Sequence, residues 1–172
     1  MDLSDSSRNG TWIQDAIGRF EGPLVQYAAR MVGGLERARD VVQETLLKLC
    51  EQNRDEVEPH LAEWLYTVCR NKAIDIRRKE SRMILLETNH IHERTATQPL
   101  PLDQMVQGEE SAGVLQLLDS LPENQQEVLR LKFQSSLSYR EIASITGHSI
   151  SNVGFLIHTA LKTLRSRMGD SG

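Results

Sequence analysis

Two stretches of the chain carry side chains whose types and spacing suit recognition of nucleic acid. The first is "RNKAIDIRRKESR", residues 70–82. On a helix, Arg70 and Arg77 share a face, while Asn71, Asp75 and Arg78 share the neighbouring one. With Lys72 and the nearby Tyr66, this row offers cations for phosphates, and an amide and a ring for an unstacked base. The same residues also fit an ordinary solvated face. The second stretch is "SYREIASITGHSISNVGFLIHTALKTLR", residues 138–165. Opposite Val153 and Ile157 it places Ser151, Asn152, Phe155, His158, Thr159 and Lys162, with Arg165 and Arg167 beyond. Asn pairs with adenine, Ser and Thr donate or accept, and Phe touches a thymine methyl. Phe155 suits a protein neighbour equally well.

Little else in the chain points to bond-making chemistry. It has no Gly-rich phosphate loop and no G-x-S-x-G nucleophile turn. Cys50 and Cys69 sit inside apolar helical patterns and read as small buried hydrophobes. His90 and His92 have no Cys or carboxylate at a recognised zinc spacing, so neither metal nor cofactor is expected. Asp40, Gln43 and Glu44 line one side of a helical pattern. They are either solvated surface or a dock for a basic partner helix. The chain reads as a binding module, not an enzyme.

The elements that position these residues are all helical. No stretch shows sustained period-two alternation, and no Asn-Gly or Asp-Gly turn lies between apolar runs. Residues 1–11 form a polar leader. Trp12, Ile13, Ala16, Ile17 and Phe20 recur at helical spacing, and Gly22-Pro23 is expected to interrupt them. Leu24, Tyr27, Ala28 and Met31 continue on a second helix, which Gly33-Gly34 stops. A third helix runs from Leu35 to about Gln52, burying Leu35, Ala38, Val41, Val42, Thr45, Leu46, Leu49 and Cys50. "NRDEVEPH" reads as a polar loop. A fourth helix runs from near Pro59 to about Arg82, with Leu61, Trp64, Leu65, Val68 and Cys69 inward; for Trp64 a stacking role is the alternative. Residues 12–82 then make one small domain. Residues 83–112 break the pattern and read as a linker. Helices resume near Ser111, giving a second domain over 113–168. "SLPE" (120–123) and "SYRE" (138–141) each fit a capping box. Gly147 ends the short helix that the second box opens, and Ile150, Val153, Ile157, Ala160 and Leu164 form an apolar stripe after it. A short capped helix, a Gly turn and an amphipathic helix have the geometry of a helix-turn-helix. A plain helical hairpin has the same signature.

Charge separates along the chain. The net charge is -4, from 20 basic and 24 acidic residues. A stand-alone DNA binder usually shows a basic balance. Residues 65–82 hold six basic side chains against two acidic, a balance of +4. Residues 87–112 hold one against five, a balance of -4. Blocks of opposite sign point to different partners for different segments. No cation stands between Arg140 and Lys162. Phosphate contacts normally dominate affinity, so the last helix is expected to hold DNA weakly by itself. No apolar run approaches the roughly 18 residues of a membrane span, and "MDLSDSSRNGTW" has no signal-peptide core. The expected location is the cytosol, without membrane insertion.

The strings "RDVVQETLLKL", "WLYTVCRNKAIDIRRK" and "LDSLPENQQEVLRLKFQSSLSYREIASITGHSISNVGFLIHTALKTLR", in this order, resemble the sigma-70 superfamily, specifically its small two-domain extracytoplasmic-function (ECF) type. The resemblance covers nearly everything after the leader. It implies that residues 12–82 are like sigma region 2, with Asp40, Gln43 and Glu44 docking the clamp coiled coil of core RNA polymerase. It implies that the loop "EQNRDEVEPH" and Tyr66, Arg70, Asn71, Lys72, Arg77 and Arg78 capture and open the promoter -10 element. It implies that residues 113–168 are like region 4. Their second helix, through Ser151, Asn152, Phe155, His158, Thr159, Lys162 and Arg165, would read the -35 element, and their apolar surface would grip the polymerase flap. The acidic linker would thread into the polymerase's nucleic-acid channels. Relatives of this type are commonly held by an anti-sigma factor. The residues alone leave two rivals: a stand-alone helix-turn-helix regulator, and a sigma-like decoy that binds polymerase or anti-sigma without reading DNA.

Overall fold

Apolar side chains recur every three or four residues along most of this chain, and each such row has to be covered by another. In a computed structural model describing residues 3–87 and 109–170, every regular element among the described residues is helical, as the periodicity implies. The chain divides into two compact units, Met1–Leu100 and Pro101–Gly172. Most of the expected linker, residues 88–108, lies outside the described residues, as do His90 and His92.

The first unit contains α1 (Leu3–Val32), α2 (Leu35–Cys50), the short α3 (Arg54–Val57) with a 3-10 turn at Glu58–His60, and α4 (Leu61–Leu86). Helices α1, α2 and α4 pack on one another. Trp12, Ala16, Leu24 and Ala28 from α1 meet Ala38, Val41, Val42 and Leu49 from α2, and Leu65, Tyr66, Cys69 and Ala73 from α4. Gly33, at φ 76°, closes α1 in the left-handed region that favours glycine.

Gly22-Pro23 does not interrupt α1, which runs unbroken through Pro23 and reaches back into the expected leader. Proline removes one backbone donor and leaves the carbonyl of Arg19 without its helical partner. Arg19, Gly22 and Pro23 are all exposed, so water can satisfy that carbonyl. Meanwhile Trp12, Ala16, Leu24 and Ala28 stay in phase on one buried row, and that burial holds the helix through the breaker. "NRDEVEPH" is also more ordered than a loop. The Asn53 side chain accepts from the Asp55 N–H at 3.1 Å, and buried Val57 anchors the turn. Helix α4 continues past Arg82, so residues 83–86 belong to it and not to the linker.

The second unit contains α5 (Glu109–Asp119), α6 (Glu123–Phe133), α7 (Tyr139–Thr146) and α8 (Ile150–Gly169). Helices α6, α7 and α8 enclose Val128, Leu131, Ile142, Ile145, Val153, Ile157 and Ala160. The serine cap of "SYRE" forms: Ser138 Oγ accepts from the Glu141 N–H at 3.2 Å and donates to Glu141 Oε1 at 3.0 Å. Gly147, at φ 79°, ends α7. The "SLPE" box does not form. Ser120 donates to the Leu117 carbonyl at 2.6 Å and so completes the end of α5, leaving Pro122 at the N-cap of α6. Arg130 Nη2 on α6 lies 3.6 Å from Asp119 Oδ1 at the end of α5, and Gln126 donates to the Leu121 carbonyl at 2.7 Å.

Cys69 is fully buried, whereas Cys50, expected inside, is exposed at the last residue of α2. Burial pushes the Cys69 thiol up to about 12, against a hydrogen bond with Thr45 that favours the thiolate. In the unfolded chain the same thiol ionises near 9.0. Ionisation therefore favours unfolding between these two values: the contribution of Cys69 is complete below about 9 and falls as pH rises toward 12, by roughly 1.4 kcal/mol per pH unit. Urea unfolding at pH 7, 9 and 10.5 should show this loss in the parent protein, and a Cys69→Ala variant should lack that component. Replacing Ser138 with Ala should lower the stability of the second unit by about 1 kcal/mol, read as a shift of its own unfolding midpoint.

Candidate nucleic-acid and partner surfaces

The outer face of α4 is fixed by its inner one. Leu65, Tyr66, Cys69 and Ala73 are buried, which turns Asn71 and Arg78 out to solvent and leaves Arg70, Lys72 and Arg77 half-buried. Ile74, Arg77, Arg78, Ser81 and Arg82 line a shallow groove on this face. Tyr66 does not belong to the surface. It is 1% exposed and meets Tyr27 edge-on, with ring centroids 5.3 Å apart and planes at 68°. Its ring packs α4 onto α1 and is closed to a base. The residue before Arg70 on the apolar row is core because the row needs it, and periodicity alone places Tyr66 one turn before Arg70 on either reading.

Asp40, Gln43 and Glu44 all stand exposed on α2. Leu47, which follows them on the same row, is 61% exposed. A single exposed apolar side chain is ordinary on a protein surface; this one stands one turn after Glu44, on the same row as the residues expected to dock a partner. The acidic and basic rows meet where Lys72 Nζ lies 2.6 Å from Glu44 Oε2. A second bridge, Arg37 with Glu80, joins the same two helices. Near the start of α4, Arg54 donates to both carboxylate oxygens of Glu58, at 2.9 and 3.1 Å. That hydrogen-bonded guanidinium holds the Glu58 carboxyl below its ordinary range. Arg54 also lies over the Trp12 ring, 5.9 Å from its centroid.

In the second unit, Ser149 caps α8 by accepting from the Asn152 N–H at 3.0 Å. Ser151, Asn152, Phe155, His158, Lys162 and Arg165 are exposed, and Thr159 is half-buried. Six of the seven residues expected on this face are thus brought to one open surface. Phe155, at 65% exposure, is its largest apolar member. The Tyr139 ring lies against α8 at Gly154, where a Cβ would make ordinary van der Waals contact at 3.5 Å, so packing does not require glycine here. Lys132 Nζ lies 5.3 Å from the centroid of that ring. Tyr139 and Lys132 therefore border the uncharged opening of α8, and neither was visible from the spacing of α8 alone. Among the described residues no group of three or more His, Cys, Asp and Glu could hold a metal ion.

Family models agree with this division. The model for sigma-70 region 2 matches residues 16–83, and that for sigma-70 region 4 matches residues 111–164. Among curated proteins, the chain is 31% identical to the ECF RNA polymerase sigma factor EcfG of Rhodopseudomonas palustris, over 95% of this chain and 86% of that protein. It is 28% identical to the RNA polymerase sigma factor YlaC of Bacillus subtilis, covering 92% and 93%. Among solved structures, the sigma factor RpoE in complex with the anti-sigma factor NepR, from Bartonella quintana, superimposes with a TM-score of 0.63 at 21% identity, covering 97% of this chain and 98% of that one. CnrH in complex with the cytosolic domain of CnrY gives 0.61 at 22%, covering 97% and 94%. These two share the fold.

The Lys72–Glu44 pair is solvent-facing, with 37% and 51% of the two side chains exposed. Such pairs contribute less than about 1 kcal/mol. Glu44→Ala and Lys72→Ala should each leave the unfolding midpoint nearly unchanged, and a double-mutant cycle should give a coupling below about 1 kcal/mol. Loss of activity in either variant is then attributable to a lost partner contact.

Proposed function

This chain belongs to the sigma-70 family as an ECF RNA polymerase sigma factor, a non-enzymatic subunit that directs promoter-specific transcription initiation, and we propose that its two units divide that work between the surfaces described above. Sigma factors of this family bind core RNA polymerase and promoter DNA. On our reading, the first unit, through the end of α4 at Leu86, acts as region 2, and the second, residues 113–168, as region 4. Asp40, Gln43 and Glu44, with Leu47 as apolar anchor, dock the clamp coiled coil of the polymerase. Arg70, Asn71, Lys72, Arg77 and Arg78 hold the phosphates and an unstacked base of the -10 element, while Tyr66 supports them from beneath. Ser151, Asn152, Phe155, His158, Thr159, Lys162 and Arg165 read the -35 element.

The observation that carries this reading is the phase of α4. Its apolar row is buried, its cations lie at the edges of that row or outside it, and Lys72 reaches Glu44 on the acidic row of α2. A guanidinium row suits phosphates, and binding energy gained by splayed bases drives strand opening without chemistry. The -35 surface carries few cations. Held on the polymerase beside region 2, it engages DNA in an effectively intramolecular step, where a weak contact suffices.

We also assign an anti-sigma factor as inhibitor. The support is that one solved structure of this fold is a complex with the anti-sigma factor NepR, and another is a complex with the cytosolic domain of CnrY. The cytoplasm, where the polymerase acts, is the proposed location, and no helix among the described residues is long and apolar enough to cross a membrane.

The deciding experiment is binding to core RNA polymerase in competition with the housekeeping sigma factor. Parent protein and an Arg77→Ala/Arg78→Ala variant should compete equally. In promoter-opening assays with the assembled holoenzyme, the variant should lose at least tenfold, and its salt dependence should fall by about 0.7 in log–log slope per lost single-strand phosphate contact. Unchanged opening would remove the basic row from -10 capture. Failure of the folded parent protein to bind core would remove the docking assignment.

A further inference from the structure

The turn between α7 and α8 holds one side chain against another in a way the reading of α8 does not use. Asn152 Nδ2 lies 3.2 Å from His148 Nδ1. An amide nitrogen only donates, so the contact as placed pairs it with Nδ1 as acceptor, in the tautomer that carries the ring proton on Nε2. Both partners are themselves fixed. The His148 N–H donates to Thr146 Oγ1 at 3.4 Å, and that hydroxyl donates to the Ile142 carbonyl at 2.7 Å. Gly147 makes the left-handed step between them. At the other end, the backbone N–H of Asn152 is held by Ser149 Oγ.

Asn reads adenine through two adjacent atoms: Oδ1 accepts from N6, and one Nδ2 hydrogen donates to N7. An exposed Asn can turn its amide over, which swaps donor and acceptor and spoils that match. In that tautomer His148 takes one amide hydrogen, which sets Nδ2 toward the turn and Oδ1 away from it. The second hydrogen and Oδ1 remain available as the adenine-reading edge. The order is set before DNA arrives, which lowers the entropy lost on binding.

We propose that His148 is a positioning residue for adenine readout by Asn152 in the -35 major groove. This rests on the reading of α8 as the -35 helix and deepens it, by naming the base class that Asn152 selects and the residue that orients it.

The test uses holoenzyme assembled from core polymerase and the full chain, selecting from promoter DNA randomised across both elements. The parent protein should enrich adenine at one -35 position by roughly 5- to 100-fold. Asn152→Ala should erase that preference and leave the other positions intact. His148→Ala should reduce it at the same position by at least fivefold, with unchanged core binding and thermal midpoint. His148→Asn sets an amide oxygen close to where Nδ1 stands and should restore it. A loss spread evenly over all -35 positions in His148→Ala would mark a general structural or phosphate role and overturn the proposal. So would an adenine preference that survives in His148→Ala, or one indifferent to Asn152→Ala. If the parent holoenzyme selects at the -10 element but at no -35 position, the assignment of α8 itself fails, and this proposal with it.

Discussion

The rotational phase of α4 is the constraint on which the first unit depends. Leu65, Tyr66, Cys69 and Ala73 project to one side and are buried against α1 and α2. The edge-on contact between Tyr27 and Tyr66 occupies the middle of that side. Aromatic pairs of this kind contribute about 0.5–1.5 kcal/mol beyond their buried area. A helix so fixed cannot turn its cations elsewhere. The positions of Arg70, Asn71, Arg77 and Arg78 therefore follow from a row of apolar residues that contact no partner. The same logic places Asp40, Gln43, Glu44 and Leu47, because Ala38, Val41, Val42, Thr45 and Leu49 fix the phase of α2. Recognition surfaces on small helical units are in this sense what remains when the core has taken its share.

Electrostatics then decides what these surfaces can do. The Lys72–Glu44 bridge joins the basic row of α4 to the acidic row of α2, and Arg37–Glu80 ties the same two helices with the signs reversed. Each cationic group so placed is partly neutralised by its neighbour. That weakens attraction for distant phosphate and favours contacts made at close range, with the strand already held. An overall charge of -4 acts in the same direction. The chain is thus ill suited to search duplex DNA by charge alone and well suited to work on the polymerase, where position replaces long-range attraction.

Much of this was legible in the sequence. Apolar periodicity is a direct record of burial, so the all-helical fold, the two cores and the outward faces of α4 and α8 could be read from spacing. What spacing misjudged were positions where a local signal competed with packing. Gly22-Pro23 looks like a break, but the buried row continues through it in phase, and the missing bond falls on the solvent side. Ser120 and Ser138 carry the same capping motif, yet only Ser138 uses it, because Ser120 is already committed to the end of α5. Cys50 and Tyr66 show the limit from the other direction. Cys50 ends its helix beyond the reach of the core, and Tyr66 is both an apolar body and a polar tip, so its type suits either face. Only the packing of Tyr27 against it assigns the face.

On the reading of α8 proposed above, a reader with little charge can still discriminate. Between Arg140 and Lys162 the chain has no cation, and bulk electrostatics there is correspondingly weak. The Tyr139 ring lies beside α8 at Gly154, and Lys132 Nζ stands 5.3 Å from its centroid. Charge is therefore supplied at the border from α6, while the exposed row of α8 itself is left to Ser151, Asn152 and Phe155. Phosphate contacts hold a protein on DNA and base contacts choose the place. Separating the two onto different helices lets the choosing surface be selective without being adhesive. That division is useful only to a protein whose grip comes from elsewhere, and a subunit held on RNA polymerase is such a protein.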